Sequence, residues 1–399
     1  MNFIDKIKNW GLNNLPLLFA ILRNTIPIFK LKKLVVVSRY SDVQEVLSRP
    51  NIFGVTYTEK MQIITNGSNF FLGMNDTPNY TRDVSNMRLV VRRNDVDTII
   101  TPMIENFSNS IISASNGSMD IVQELTRVVP ALFTEKYMGI PGPSQDEIID
   151  WTSSMFQYLF YPDNSSEFNN NAIQAAQKTR DYLDKLIKDR KSYDEKNDDI
   201  IGRCLELQTS NTPGMSDIDI RNNLLGIIIG AIPTTSKSAA LVIDYLLDHP
   251  ERLANAQTAA KNDNTETIRK LVLECLRFNS FGAGIFRTAL EPYTIAKGTF
   301  RSKKITKGST VIALTQSAML DGRKLNNPKA FSLNRPDYSY MHFGYGMHTC
   351  FGEHINMVQI PIIVKSLLKC SNLRRASGEQ GVMKNIGQFP AHLNVQFDI

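Results

Sequence analysis

The stretch FGYGMHTCFG, residues Phe343 to Gly352, decides how the rest of the chain is read. A cysteine, Cys350, sits in a loop carrying Gly344, Gly346 and Gly352, which permit tight turns and close backbone approach. An apolar helical pattern, Ile355–Leu368, follows directly. The N–H groups and positive dipole end of such a helix lower a thiol pKa and favour thiolate. His348, two residues before the cysteine, is placed to donate to an anionic group on a cofactor. A lone cysteine is more often an inert packing residue. A cysteine nucleophile requires a histidine relay, and none is recognisable around Cys350.

Working outward, the 399 residues are 42% hydrophobic and 21% charged, an ordinary globular composition with material for a large core. A net charge of +6 over this length is too small to argue for nucleic acid. The four cysteines, Cys204, Cys275, Cys350 and Cys370, form no CxxC pair, which argues against a disulfide framework or zinc knuckle. Four of the five histidines, His342, His348, His354 and His392, lie after residue 340, so the rare chemistry gathers around Cys350. The first apolar run, Leu15 to Leu22, contains Pro16 and falls short of the ~20 residues of a spanning helix. Met1–Trp10 carries lysines without a cleavage site behind it. The expectation is a soluble cytoplasmic monomer with no transmembrane anchor.

The pattern KLVVVSRYSDVQEVL, from Lys33 to Leu47, predicts a short buried strand and then a helix capped at Ser41 with Asp42 in its first turn. Helical patterning dominates from about Val96 to Phe278, with helices over Ile148–Tyr161 and Asn170–Lys191 and a polar loop over Tyr161–Asn171. Ile218–Leu247 is the longest apolar helical pattern, interrupted by Gly230 and Pro233, and is expected to run through the middle of the protein. Beyond Phe278, glycines and Pro292 punctuate short hairpin-like runs. The fold class is therefore mainly α with a smaller β-rich part: one domain over 1–399, β-rich about 33–40 and 283–315, helical about 96–280 and 352–370.

FGYGMHTCFG resembles the haem-binding loop of the cytochrome P450 superfamily, Phe-Gly-x-Gly-x-His/Arg-x-Cys-x-Gly, at every fixed position. The resemblance implies haem b (iron protoporphyrin IX) with Cys350 as the axial metal ligand, and Phe343, His348 and Gly352 as cofactor-binding residues. It also implies that family's triangular-prism fold, with haem between the long central helix and the helix after the cysteine loop. Further matches extend over nearly the whole chain. Glu274 and Arg277, in LVLECLRF 76 residues before Cys350, resemble the family's structural ExxR pair, which locks to a later arginine, here Arg335. Phe286-Arg287-Thr288 is similar to the strand whose arginine contacts a haem propionate. Near Asp76-Thr77-Pro78, Tyr80 stands where the family's histidine is expected. The second basic residue falls on Arg82 or Arg88 according to register, and Arg88-Leu89-Val90, similar to the family's Arg-Leu-Val, favours Arg88.

One departure concerns the chemistry. Where most of the family has an acid before the oxygen-handling threonines, this chain has Pro233, followed by Thr234 and Thr235. A proline removes an N–H, frees the carbonyl of Ile229 and bends the helix. The implied activity is a monooxygenase inserting one oxygen atom of O2 into a hydrophobic small molecule such as a fatty acid, terpenoid or steroid, with Thr234 and Thr235 catalytic. The missing acid leaves open a peroxide-driven peroxygenase or lipid-hydroperoxide isomerase or dehydratase. A non-catalytic haem or gas-binding protein is the remaining alternative. The family's pocket regions map onto Phe70, Phe71, Phe156, Phe160, Ile229, Ala231 and Phe286, an apolar set suited to a hydrophobic substrate. Electrons would come from a separate ferredoxin or flavodoxin and its reductase. The basic cluster Lys297, Arg301, Lys303, Lys304 and Lys307 would dock that donor if it is more than a solvated hairpin face.

Overall fold

Short runs rich in β-branched residues, such as LVVV and TVIA, build the first sheet. Ile28–Leu31 and Leu34–Val37 form an antiparallel hairpin, with Lys32 at a positive φ of 52° in the turn. Leu34–Val37 then pairs in parallel with Thr310–Ala313, which pairs antiparallel with Ile285–Ala289, and Phe53–Gly54 closes the far edge. The side chains of Val35, Val37, Val311, Ala313 and Ala289 pack with Val43, Val46 and Leu47 of the helix Tyr40–Leu47 in one apolar core. The computed structural model describes residues 15–161, 165–192 and 197–398, and the Met1–Trp10 segment lies outside them.

By its contacts the chain divides into two compact units. The strand-rich unit spans 1–56 and 282–351. It holds the five-stranded sheet, the helices Leu15–Thr25 and Tyr40–Leu47, a ribbon of Tyr293–Ile295 with Lys303–Ile305, and the cysteine loop. Its first helix after the sheet hairpin starts ahead of the expected Ser41 cap: the cap position is Arg39, with no side-chain cap of its own. A tertiary contact explains the shift, since the Tyr40 amide donates to Asp321 Oδ2 at 3.1 Å, and that carboxylate does the capping from 281 residues away. Asp42 is in the first turn as expected and is held by Arg301 at 2.8 Å.

The helical unit spans 57–281 and 352–399. Its principal helices are Pro78–Val90, Thr101–Ala114, Gln145–Phe160, Ser166–Ser192, Asp217–Leu247, Pro250–Lys261, Thr265–Phe278 and Glu353–Leu368. The expected loop over Tyr161–Asn171 is shorter than predicted, because helix resumes at Ser166 with Glu167 in its first turn. Strands Ser118–Asp120, Asn394–Asp398 and Ser371–Arg375 form a small sheet, and Lys384–Ile386 pairs with Phe389–His392. These strands fall outside the two β-rich windows expected; they are too short to leave a period in the sequence.

Asp217–Leu247 is one continuous helix, contrary to the expected interruption at Gly230 and Pro233. It begins in a capping box: Ser216 Oγ accepts from the Asp219 amide, and Asp219 Oδ2 accepts from the Ser216 amide. Tertiary packing outweighs the cost of the proline, since Ile228, Ile229, Ile232 and Thr235 around it are all buried. Among the described residues this is the one helix long and apolar enough to cross a membrane, and most of it is buried inside the protein. Gly226 is required sterically, because a Cβ there would lie 2.2 Å from the ring of Phe70.

Candidate functional site

Within the strand-rich unit, the cysteine loop is shaped by two left-handed glycines, Gly344 at φ 84° and Gly346 at φ 76°. A Cβ on Gly346 would stand 2.5 Å from the Leu47 carbonyl oxygen, so only glycine lets the loop lie against that helix end. The Cys350 amide donates to Phe343 O at 2.8 Å and the Thr349 amide to Gly346 O at 3.1 Å, closing the loop on itself. His348 ends a short 3-10 turn, Gly346–His348, and Cys350 precedes the helix Glu353–Leu368, capped by Gly352. Phe343, His348 and Cys350 are all partly exposed. The three other cysteines are buried, and burial pushes the Cys204 thiol up to about 12 and raises Cys275 and Cys370. Those are packing residues, as base rates for lone cysteines imply. Arg287 lies on the central sheet, 4% exposed, with Nη1 donating to Phe286 O, whereas Phe286 itself is 42% exposed. Arg335 directs its guanidinium at the carbonyls of Asn326, Asn327 and Ala330. Arg301 is drawn out of the expected basic cluster by Asp42.

In the helical unit, Glu274 and Arg277 meet as expected through two hydrogen bonds of 2.9 and 2.7 Å, both side chains fully buried. The stepped geometry of i and i+3 on one helix face brings them together. Of the candidate arginines, Arg82 is committed to Asp83 at 2.7 Å and Asp219 at 3.3 Å. Arg88 is exposed and in no ion pair among the described residues. It lies close enough to Tyr80 and His354 to bias both: burial raises Tyr80 while Arg88 lowers it, and burial with Arg93 and Arg88 lowers His354.

Over residues 222–243 the long helix is buried all round except for one stripe. Ile227, Gly230, Ala231 and Thr234 are partly exposed, at spacings of i, i+3, i+4 and i+7, hence on one face. Nothing lies within 4 Å of a Cβ built on Gly230, so the stripe borders open space. Thr234 Oγ1 donates to the Gly230 carbonyl. Thr235, expected to share its role, is instead 1% exposed and donates to Asn356 Oδ1 at 2.9 Å, tying the long helix to the final one. Ile229 likewise faces the core at 2% rather than the stripe. Phe70 and Phe71 are core residues, 3% and 0% exposed, with Phe70 closed against Gly226.

Phe156 and Phe160 do belong to an aromatic cluster. Phe156 meets Phe160, Tyr161, Phe281 and Phe389 at centroid distances of 4.5 to 6.3 Å, and Tyr57 meets Phe160 at 4.7 Å. Sequence reasoning missed Phe389 and Lys237. The ammonium of Lys237 lies over Phe281, Tyr161 and Phe389. A lysine inside an apolar helical run was the available signal.

A family model described as Cytochrome P450 matches residues 27–390. The polyketide biosynthesis cytochrome P450 PksS of Bacillus subtilis is 24% identical over 82% of this chain and 76% of its own length. Pulcherriminic acid synthase of the same organism is 23% identical over 85% and 83%. The solved structure of P450BioI in complex with an acyl carrier protein ligated to hexadec-9Z-enoic acid superposes with a TM-score of 0.83, at 20% identity, over 97% of this chain and 100% of that one. CYP109E1 from Bacillus megaterium in complex with testosterone gives 0.82, also at 20%, over 97% and 98%. The protein is thus an oxidoreductase of the monooxygenase class with the fold the cysteine loop implied. The chain belongs to the cytochrome P450 family.

The residues present fit the haem-thiolate group that this family implies. That group brings most of the iron's ligands in its own macrocycle. Such a group needs one soft donor from the protein, and Cys350 is the one cysteine that is not buried.

Proposed function

We propose that the protein is a haem-thiolate monooxygenase that inserts one oxygen atom of O2 into a hydrophobic small molecule, of fatty-acid, terpenoid or steroid type. The observation that carries this reading is the partly exposed Cys350, held in a self-bonded glycine loop just before a helix N-terminus. Haem b bound to it supplies a redox-active iron competent for oxygen activation. Cys350 would be the ligand, stabilised as thiolate by the helix end. His348, Arg287 and Arg88 would hold the propionates through charge-assisted bonds. Phe343 and Gly352 would form the cradle, and Glu274 with Arg277 and Arg335 the structural support.

Thr234 has the proton-handling role in this reading. Its Oγ1 proton rests on Gly230 O, beside the open stripe. Rotation of the hydroxyl toward that space would release its proton on the open side of the helix, and water would have to restore it, because Pro233 offers no carboxyl group. Thr235 would then act only by positioning the helix through Asn356. The whole of 1–399 works as one catalytic domain, monomeric and cytoplasmic, with a separate ferredoxin or flavodoxin and reductase as electron donors. Exposed Lys297, Lys303, Lys304 and Lys307 would attract such an acidic donor.

Carbon monoxide added to the reduced holoprotein tests the ligand. A red-shifted thiolate-type Soret band is expected, and its persistence in Cys350→Ala would refute the assignment. Pro233 favours a second reading, a peroxide-driven enzyme, since the acid that normally feeds protons to the threonine is missing. Turnover with NAD(P)H and a ferredoxin system that is lost in Thr234→Ala supports the first reading. Turnover with peroxide alone, indifferent to Thr234→Ala, supports the second.

A further inference from the structure

Lys237 lies in the helical unit, three residues beyond Thr234 and seven beyond Gly230, so it continues the face that carries the open stripe. It is 8% exposed. Its Nζ stands 4.5 Å from the ring centroid of Phe281 and 5.7 Å from those of Tyr161 and Phe389, with Tyr161 Oη at a long 3.5 Å. Among the described residues no carboxylate approaches within ion-pair distance. Lys365, the other buried lysine among the described residues, is 5% exposed and does have its anion, Glu105 at 2.8 Å. Cation–π contact with the rings lessens the cost of burying an ammonium but does not neutralise it. The burial itself drags the lysine down to about 8, still cationic at neutral pH. A cation with no ion-pair partner among the described residues, under the rings of Tyr161, Phe281 and Phe389, is suited to one kind of ligand: an anionic head on an apolar body.

We propose that Lys237 anchors the carboxylate of an apolar acid, so that the preferred substrates are free acids with long hydrocarbon tails rather than neutral terpenoids or steroids. The proposal rests on the monooxygenase reading only for what happens to the acid once bound. The tail would run from the aromatic cluster along the face of Thr234, Ala231, Gly230 and Ile227, where side chains are small or apolar. Two of the three rings over the ammonium come from segments distant in sequence, Phe281 after the Glu274–Arg277 helix and Phe389 in the final hairpin.

Calorimetric titration of the holoprotein with decanoate and with 1-decanol tests this. The wild type is expected to bind the acid roughly tenfold or more tightly than the alcohol. Lys237→Met should abolish that preference while leaving 1-decanol affinity unchanged or improved, and Lys237→Arg should retain it. Unchanged thiolate-type CO spectra in both variants verify that they fold. Equal affinity for acid and alcohol in the wild type, or a preference that survives in Lys237→Met, overturns the proposal. If decanoate binds through Lys237 but neither reductant nor peroxide yields product, the anchor stands and the monooxygenase reading falls. If neutral substrates turn over and the acid preference is missing, the reverse holds.

Discussion

Replacing Lys237 by methionine should stabilise the ligand-free protein, an unusual outcome for a buried position in a long core helix. The structure provides the magnitude. Burial moves the lysine from 10.5 to about 8, which corresponds to about 3 kcal/mol of folding free energy withheld at pH 7. Loss of the contacts over Phe281, Tyr161 and Phe389 offsets part of the gain, leaving about 1–3 kcal/mol. For a chain of 399 residues this raises the melting temperature by roughly 1–4 °C. The pH dependence identifies the cause. Below pH 8 the lysine is protonated in both folded and unfolded states, so the whole penalty is present. Between about 8 and 10.5 the unfolded chain binds the extra proton, so the wild type gains stability as pH rises. The advantage of Lys237→Met should therefore shrink by about 2 kcal/mol between pH 7 and pH 9.5. Tyr161, whose pKa burial raises, stays neutral across that window. Differential scanning fluorimetry of both proteins at matched haem occupancy, at the two pH values, is the assay. A variant less stable than wild type at pH 7, or a gap that stays constant to pH 9.5, would refute the reasoning.

The buried and exposed carboxylate–arginine pairs of one helix should respond very differently. Glu274→Gln, in a fully buried bidentate pair, is expected to cost about 3–5 kcal/mol in denaturant unfolding, whereas Glu266→Gln, whose mostly exposed carboxylate pairs with Arg269, should stay within about 1 kcal/mol. Gly226→Ala should lower stability by about 1–3 kcal/mol through its clash with Phe70, and Phe70→Leu in the same chain should recover part of the loss. Thr235→Val, which breaks the bond to Asn356, should lower the melting temperature more than Thr234→Val, whereas Thr234→Val should have the larger effect on product yield per electron consumed.

What could be read in the sequence was whatever is encoded locally. The spacing of glycines, histidine and cysteine over Phe343–Gly352 marked the loop, and the i, i+3 pair of Glu274 and Arg277 needs only helical geometry to meet. The long helix was legible because apolar residues fill it, although Pro233 argued for a break that packing against buried neighbours overrides. Tertiary structure decided matters that depend on rotation about a helix axis and on distant partners. It separated Thr234, on the open stripe, from Thr235, turned inward to Asn356, though the two are adjacent and chemically identical. It closed Phe70 into the core and gathered Tyr161, Phe281 and Phe389 around Lys237 from three separate segments. A sequence carries the identity of each side chain and its periodic neighbours. Which side chains share a cavity, and which charge is left there without a partner, is set only when remote elements pack and water is expelled between them.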